Sequence, residues 1–594
     1  MKPFEHIFAL SISSEVPSTE FMTEQFDNVI IGSGAGGLSA AICLSREGQS
    51  VLVLEQHYVP GGWCHSFTLN GQRFSPGVHY LGQLGAGEST SKMFRGIGLS
   101  EELKFFRMKN TAFEHCIIGN KRFDYPSDPA EFKTNLIEKF PHERKGIERY
   151  LNVVWKTQDA LNNLISKRTK LAKTFAIISS YALLRNGYLG LERVVSRYIK
   201  DPDLRAILNI QCGNYGLSPE NASFVFHCGV IGHYNRGGYF PIGGGGALVK
   251  TMTNIVKKQG GQVRTKTSVR RILIENKTAV GVELMDGQII RANRIISNAD
   301  PHITFTQLMD KNTLSAKLQK KLGKTKYSCS SLILFVTLAM DVRKAGIDSG
   351  NYWIAANNDL NNLMKYKGLD DVTDGDKFTE IFISCSSLKD PASQDGVHYN
   401  FEMITFIDNQ IFTDLGENLS SEDPAYARFK EKTANKFLNH LEELIPGAKA
   451  HVVQMEMGTP KTNKFYINAT QGNVYGTAKA NSQIGARAFK ARTEIENLFM
   501  CGASTLSHGV VGATYSGIVT SAEILQCDPW ELVKDTGSDF EIFEAEESSK
   551  WPKWLLDKRA VREKRAKAIH RGEFLAHVDP VHQISATLES SSSS

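Results

Sequence analysis

A chain of 594 residues with 41% hydrophobic and 22% charged residues can bury a large core and has the balance of a globular protein of roughly two to four domains. The net charge of +6 is too small to argue for a nucleic-acid partner. Nine cysteines, an odd count with neither CxxC pairs nor zinc-like histidine spacing, speak against a disulfide framework or a metal site and suit a reducing, intracellular compartment.

Residues 1–24 hold one early lysine, no sustained apolar core and four acids, which reads as a flexible extension rather than a secretory signal. Residues 25–100 open a nucleotide-binding domain. The apolar run Val29 to Ile31 leads into Gly32-Ser33-Gly34-Ala35-Gly36-Gly37, and Leu38, Ala41, Ile42 and Leu44 then recur at helical spacing: strand, tight turn, helix. Gly32 permits the turn, Gly34 lets a pyrophosphate approach the backbone, and Gly37 lets helix and strand pack closely. The helix N-terminus attracts the anion. A second apolar run, Val51 to Leu54, ends in Glu55, placed to accept hydrogen bonds from a ribose, with Gln56 beside it. A GxGxxG alone is a weak signal; the flanking strands and Glu55 make it specific for an adenine dinucleotide without a 2′-phosphate. Gly61-Gly62, a second backbone-exposing loop, favours the longer FAD over NAD.

Phe74 to Gly82 sets His79 and Tyr80 side by side, either near the flavin ring or in a buried turn. Residues 101–245 turn helical and polar. Ile147 to Lys173 spaces apolar residues with Lys167, Arg168, Lys170 and Lys173, as a cap over a substrate cavity or a helix at a membrane interface. No run reaches the roughly 18–20 apolar residues that span a bilayer, since Phe175 to Leu184 is stopped by Arg185. Residues 246–301 follow four glycines and return to strand periodicity, with an Asp286-Gly287 hairpin turn, as the meander that completes the nucleotide domain. Residues 302–490, with the long apolar strand Leu332 to Leu338, read as a substrate domain whose sheet faces the helical segment. Residues 491–530 repeat the strand–glycine–helix pattern around Gly502 and Ser507 to Gly517, a second anion-friendly helix start. The tail, 531–594, is basic and partly disordered. Its Trp551, Trp554, Leu555 and Leu556 lie among basic residues as a surface anchor for membranes or a solvated tail, and it ends in SATLESSSSS.

The expected fold is α/β, with a Rossmann-like FAD-binding domain assembled from separated segments and a mixed α+β substrate domain. Three pieces carry a family resemblance: GSGAGGLSAA with LEQHYVPGGWCHSF, GGYFPIGGGGALV with IISNADP, and LFMCGASTLSHGVVGATYSG. Together they resemble the phytoene desaturase-like flavoproteins, and TPKTNKFY at Thr459 to Tyr466 is nearest to the carotenoid isomerase and all-trans-retinol 13,14-reductase branch. The resemblance implies FAD, an apolar tunnel ending at the flavin, and a polyene substrate taken from a membrane surface. It assigns Gly32, Gly34 and Gly37 to the pyrophosphate and Glu55 to the ribose, with Ser33, Ala35, Gly36 and Gln56 in the same cofactor-binding set. Gly61 and Gly62 go to the flavin side, Val269 to the adenine side, and Gly502 with Val510, Val511, Gly512 and Ala513 to the flavin end. Trp63-Cys64 and the basic tail depart from the pattern.

Family members saturate, desaturate or isomerise polyenes on similar frames, so the reaction stays open. The chemistry expected is hydride exchange with FAD, with His79 and Tyr80 as the catalytic candidates for proton handling and NAD(P)H or a quinone as candidate redox partner. Two other readings remain: an amine oxidase-like enzyme on a small soluble substrate, and a non-catalytic flavin protein that docks on membranes.

Overall fold

The computed structural model describes residues 24–166, 174, 176, 178, 180–363, 368–408, 410–414, 423–534 and 537–570. The N-terminal extension before residue 24, the basic run Lys167 to Lys173 and the serine-rich terminus lie outside the described residues.

The opening strand, Glu24–Ile31, runs parallel to Val51–Leu54 on one side and to Ile289–Ser297 on the other. Gln262–Arg264 extends the sheet beyond Val51–Leu54, and the meander Val269–Glu275, Thr278–Leu284 extends it beyond Ile289–Ser297. Leu498–Met500 pairs with Ile295, Ile296 and Ser297, so one seven-stranded sheet collects strands from three distant parts of the chain. Its central strands read as unbroken apolar runs because helices cover the sheet: all four residues of Val51–Leu54 are buried.

The helix after the glycine turn, Ala35–Arg46, is buried at eleven of twelve positions. It packs on the last long helix, Gly509–Leu525, so closely that a Cβ on Gly517 would lie 2.1 Å from the Gly36 carbonyl oxygen. Ser39 Oγ donates across that contact to the Thr514 carbonyl at 2.8 Å. The N-terminal and C-terminal glycine turns are thereby locked side by side.

A second seven-stranded sheet runs in the order Val452–Gly458, Ser330–Leu338, Tyr399–Ile407, Glu380–Cys385, Asn351–Ala355, Glu114–Ile118, Lys121–Tyr125. Neighbours are antiparallel except Asn351–Ala355 with Glu114–Ile118. Its last two strands correct the helical reading of 101–245. EHCII and KRFDY flank Gly119-Asn120, a two-residue hairpin loop in which Gly119 takes φ +59°. The hairpin signal was present in the sequence, hidden by the helical stretches that follow, such as Arg144–Ser166.

The tail is also placed differently from the surface role expected of it. Ile542–Glu544 pairs with Phe105–Arg107, which pairs in turn with Tyr239–Pro241. Trp551 is buried with its ring 5.1 Å from Phe106, and its indole N–H donates to the Glu544 carbonyl at 2.7 Å. Leu555 is buried in the same cluster, while Trp554 and Leu556 face outward. Two of the four apolar side chains expected to meet a membrane are instead used to fasten the tail, because an adjacent apolar cleft around Phe106 and Ala392 receives them.

One charge cluster ties the two strands of the Glu114–Tyr125 hairpin to the turn before Asn351–Ala355. His115 is fully buried with Nδ1 2.8 Å from Asp124 Oδ1 and Nε2 2.8 Å from Asp348 Oδ1. Burial by itself lowers the imidazole pKa, but Asp124 and Asp348 outweigh it and raise the pKa above its ordinary value. Because the folded pKa is the higher one, this stabilisation is complete below the unfolded pKa of about 6.5 and is lost as pH rises through the folded value. His115→Gln is expected to cost about 3–5 kcal/mol at pH 6 and progressively less as pH rises through the folded value, read from urea unfolding across a pH series.

Candidate functional site

Between the two sheets lies a cavity of about 530 Å³. Its floor is main chain: Gly32, Gly34, Ala35 and Gly36 from the first turn, Gly61 and Gly62 from the second, and Gly502 and Ala503 from the C-terminal one. Gly34 precedes the helix Ala35–Arg46 in an extended conformation, and no side chain caps the helix, so its first amides are open to an anion. Gly34 and Gly36 leave little room for a side chain. A Cβ on Gly34 would come 2.7 Å from Asn298 Nδ2, and one on Gly36 would come 2.7 Å from Asn298 Oδ1 and 2.8 Å from the Gly502 nitrogen.

Ser33 and Glu55 tie these loops together. Glu55 Oε2 accepts from the Ser33 amide at 2.9 Å and from Ser33 Oγ at 2.5 Å, while Ser33 Oγ accepts from the Gly61 amide at 3.0 Å. The other carboxylate oxygen accepts from the His57 amide at 2.9 Å. Glu55 is thus oriented by the protein and, with about four acceptor sites on its two oxygens, keeps capacity for a ligand hydroxyl. Beside it the cavity runs along Gln56, Thr267, Ser268, Val269 and Arg270.

The opposite wall comes from the second sheet. Ser331 and Ile333 share one face of Ser330–Leu338, and their register partners Phe406 and Ile404 continue it. Tyr475, from the segment that leads back to the first sheet, completes this largely apolar surface.

Of the residues expected at the cofactor, Gly32, Gly34, Ala35, Gly36, Glu55, Gln56, Gly61, Gly62, Val269, Gly502, Val510 and Ala513 all line this one cavity. Ser33, Gly37, Val511 and Gly512 do not. Ser33 is turned to Glu55; a Cβ on Gly37 would sit 2.2 Å from the Gly32 carbonyl oxygen, and one on Gly512 2.7 Å from Ser507 Cβ. Val511 packs against the core beneath the helix.

The two catalytic candidates part company. His79 lines the cavity with Nδ1 unpartnered. Burial, helped by the nearby Lys389 ammonium, pushes its pKa down to about 3, so at neutral pH it is an uncharged imidazole and no imidazolium acid. Lys389 Nζ also donates to the His79 carbonyl at 2.8 Å, and Glu402 accepts from the Ser75 amide at 3.2 Å, bracing both ends of the segment that carries the ring. Tyr80 points away from the cavity. Its hydroxyl donates to Glu114, which also accepts from Gln211 Nε2 at 2.5 Å and Trp353 Nε1 at 3.2 Å. Burial with the Glu114 charge holds the phenol pKa well above its ordinary value.

Sequence reasoning missed Asn298 and His508. Asn298 follows a strand ending exposed to the glycine turns and falls within the IISNADP piece that carries the family resemblance, which assigned it no role. His508 immediately precedes the helix Gly509–Leu525. Its Nε2 lies 2.9 Å from the Asn214 carbonyl oxygen, which requires the proton on Nε2 and leaves Nδ1 bare beside the cavity.

Open helix amides, a buried carboxylate and a glycine floor facing an apolar wall define a flavin-dependent oxidoreductase. The comparisons agree. The family described as flavin containing amine oxidoreductase matches residues 35–331. All-trans-retinol 13,14-reductase of Danio rerio is 30% identical over 86% of this chain and 87% of its own length. Chloroplastic prolycopene isomerase of Daucus carota is 27% identical over 87% of this chain and 83% of its own length. The crystal structure of an oxidoreductase from Methanosarcina mazei superposes with a TM-score of 0.58 at 16% identity, covering 84% of this chain and 99% of that one. The chain belongs to the flavin containing amine oxidoreductase family. FAD fits the residues present: Cβ atoms on Gly34 and Gly36 would crowd Asn298 and Gly502 where a pyrophosphate would approach the amides, and Glu55 is oriented so that it would accept from a ribose hydroxyl.

Gly34→Val drives a branched side chain into the Asn298 amide and is expected to weaken FAD binding about tenfold or more. Full retention of the yellow chromophore by the purified variant would contradict this placement.

Proposed function

We propose that this protein is an FAD-dependent enzyme that saturates, desaturates or isomerises a conjugated, lipophilic polyene such as a retinoid or carotenoid. The observation that carries the reading is the continuity of the glycine floor with the apolar wall of Ile333, Ile404, Phe406 and Tyr475 in one cavity. A flat, extended hydrocarbon buried there gains about 25 cal/mol for each Å² of apolar surface removed from water. The names of its relatives, a retinol reductase and a prolycopene isomerase, point to the same substrate class.

Bound FAD would supply the electron-pair chemistry, with NAD(P)H or a quinone as the redox partner. The chain's own residues orient and shield. The apolar wall holds the polyene and keeps water out, and the open amides of the first helix, with Glu55, hold the cofactor. His79, neutral and braced by Lys389, offers a hydrogen-bonding imidazole beside the reacting bond rather than a strong acid. A small soluble amine is less well supported. The acids on the cavity wall are already engaged, Asp300 by Thr470, Ile303 and Tyr327, and Glu55 by Ser33 and His57.

A lipophilic substrate implies collection from a membrane surface. No helix among the described residues is long and apolar enough to cross a membrane. The exposed group Tyr181 (71% exposed), Leu184 (59%) and Tyr188 (71%), with Arg185 and Arg487 at its rings, has the aromatic and basic character of an interfacial contact. We assign peripheral membrane association to this face in preference to the tail.

Two measurements test these readings. Product mass separates the reactions: a gain of two hydrogens means saturation, no change means isomerisation, a loss means desaturation, and unaltered retinoid and carotenoid substrates would sink the proposal. Replacing Tyr181, Leu184 and Tyr188 together by serine is expected to reduce cosedimentation with liposomes about tenfold, whereas Trp554→Ser should leave it unchanged.

A further inference from the structure

Lys479 lies on the path from the second sheet back to Leu498–Met500, and only 2% of it is exposed. Its Nζ donates to the Ala503 carbonyl oxygen at 2.6 Å. Among the described residues no carboxylate pairs with it, and burial lowers its pKa to about 7. A buried ammonium without an acid is costly, and such groups are ordinarily paired. Glu55 and Asp300, the acids of the cavity wall, are held elsewhere by Ser33, His57, Thr470, Ile303 and Tyr327.

Two further features mark the same corner of the cavity. His508, 9% exposed, lines it with Nδ1 unpartnered, and its ring lies 5.4 Å from Phe226 and 4.8 Å from Tyr475. Burial and then the Lys479 charge hold the imidazole neutral. The seventeen-residue helix Gly509–Leu525 starts beside it with no side-chain cap, so its positive end and free amides face the ligand space. A cation and an uncapped helix start thus converge on Gly502, Ala503 and Val510 with no acid to balance them. Electrostatics of this sign favours a ligand that acquires negative charge while bound.

We propose that Lys479 is the counter-charge for the reduced flavin ring: a positioning residue behind Ala503 that makes reduction of bound FAD more favourable. The inference rests on the flavin reading above and adds the residue that sets the redox balance. Reduction by a nicotinamide or quinol donor transfers two electrons and one proton to the neutral ring, which ends with one net negative charge; the donor is oxidised, a quinol releasing its second proton to solvent, and Lys479 stays protonated and makes no bond. The nearby Asn214 carbonyl is satisfied by His508, so no group on this side competes for the charge.

The test is the reduction potential of the FAD-loaded full-length protein at pH 6, where the lysine is protonated, in wild type, Lys479→Met and Lys479→Gln. Met keeps the apolar length, and Gln keeps a donor for Ala503 without the charge. Both variants are expected to retain FAD and to prefer its reduced form at least about tenfold less, a fall of about 30 mV for a two-electron couple. An unchanged potential in either flavin-loaded variant overturns the proposal. A wild-type value in Lys479→Gln alone assigns the effect to the Ala503 hydrogen bond and overturns it too. If Lys479→Met fails to fold, Lys479→Gln decides. A wild-type protein that binds no FAD would overturn the cofactor reading itself, a failure distinct from an unchanged potential in loaded variants.

Discussion

The site depends on one carboxylate and one hydroxyl. Glu55 ends the second strand, Ser33 sits in the first glycine turn and Gly61 begins the second, and hydrogen bonds of 2.5–3.0 Å through Ser33 join all three. A charged acceptor buried in a low-dielectric setting makes such bonds stronger than neutral ones and costly to leave unmade. The consequence is a preorganised floor: two loops that glycine leaves conformationally free are held in register before any ligand arrives. The Gly36–Gly517 contact then brings the C-terminal turn to the same place, since only two backbones without side chains approach so closely.

Charge is distributed around this floor with a consistent sense. Acids that line the cavity are occupied by main-chain and hydroxyl donors, and both histidines at its edge, His79 and His508, are kept neutral by burial with a lysine near each. The two lysines differ. Lys389 shares its surroundings with Glu402 and Glu114 and spans the carbonyl of His79 and the side chain of Ser384. Lys479 has no such acid. The first braces a segment; the second leaves a surplus of positive charge where the C-terminal helix begins. An apolar wall opposite removes the water that would screen both.

Much of the nucleotide domain was legible in the chain because its signals are local. A GxGxxG between an apolar strand and a buried helix, an acid at the end of the next strand, and a hairpin at Asp286-Gly287 each fall within a few residues, and each is where the sheet needs it. The hairpin Glu114–Tyr125 was equally local and was passed over because surrounding helical composition outweighed a two-residue turn. The tail misled for another reason. Tryptophan and leucine among lysines look the same whether they meet lipid or a cleft, and the Phe106 cleft is assembled from residues hundreds of positions away.

Local pattern in the amino-acid sequence by itself pointed to a flavin cofactor and to the glycine turns and the acid, Glu55, that line one cavity, since each depends on backbone conformation and short-range spacing. Tertiary structure alone decided which of two adjacent candidates, His79 and Tyr80, meets the cavity, and that His508 lines it while Lys479 lies behind Ala503. Side-chain direction and ionisation are set by neighbours brought together from distant strands: Glu114 turns Tyr80 inward, and the Ala503 carbonyl leaves Lys479 buried without an acid. Spacing along the chain carries no record of such partners.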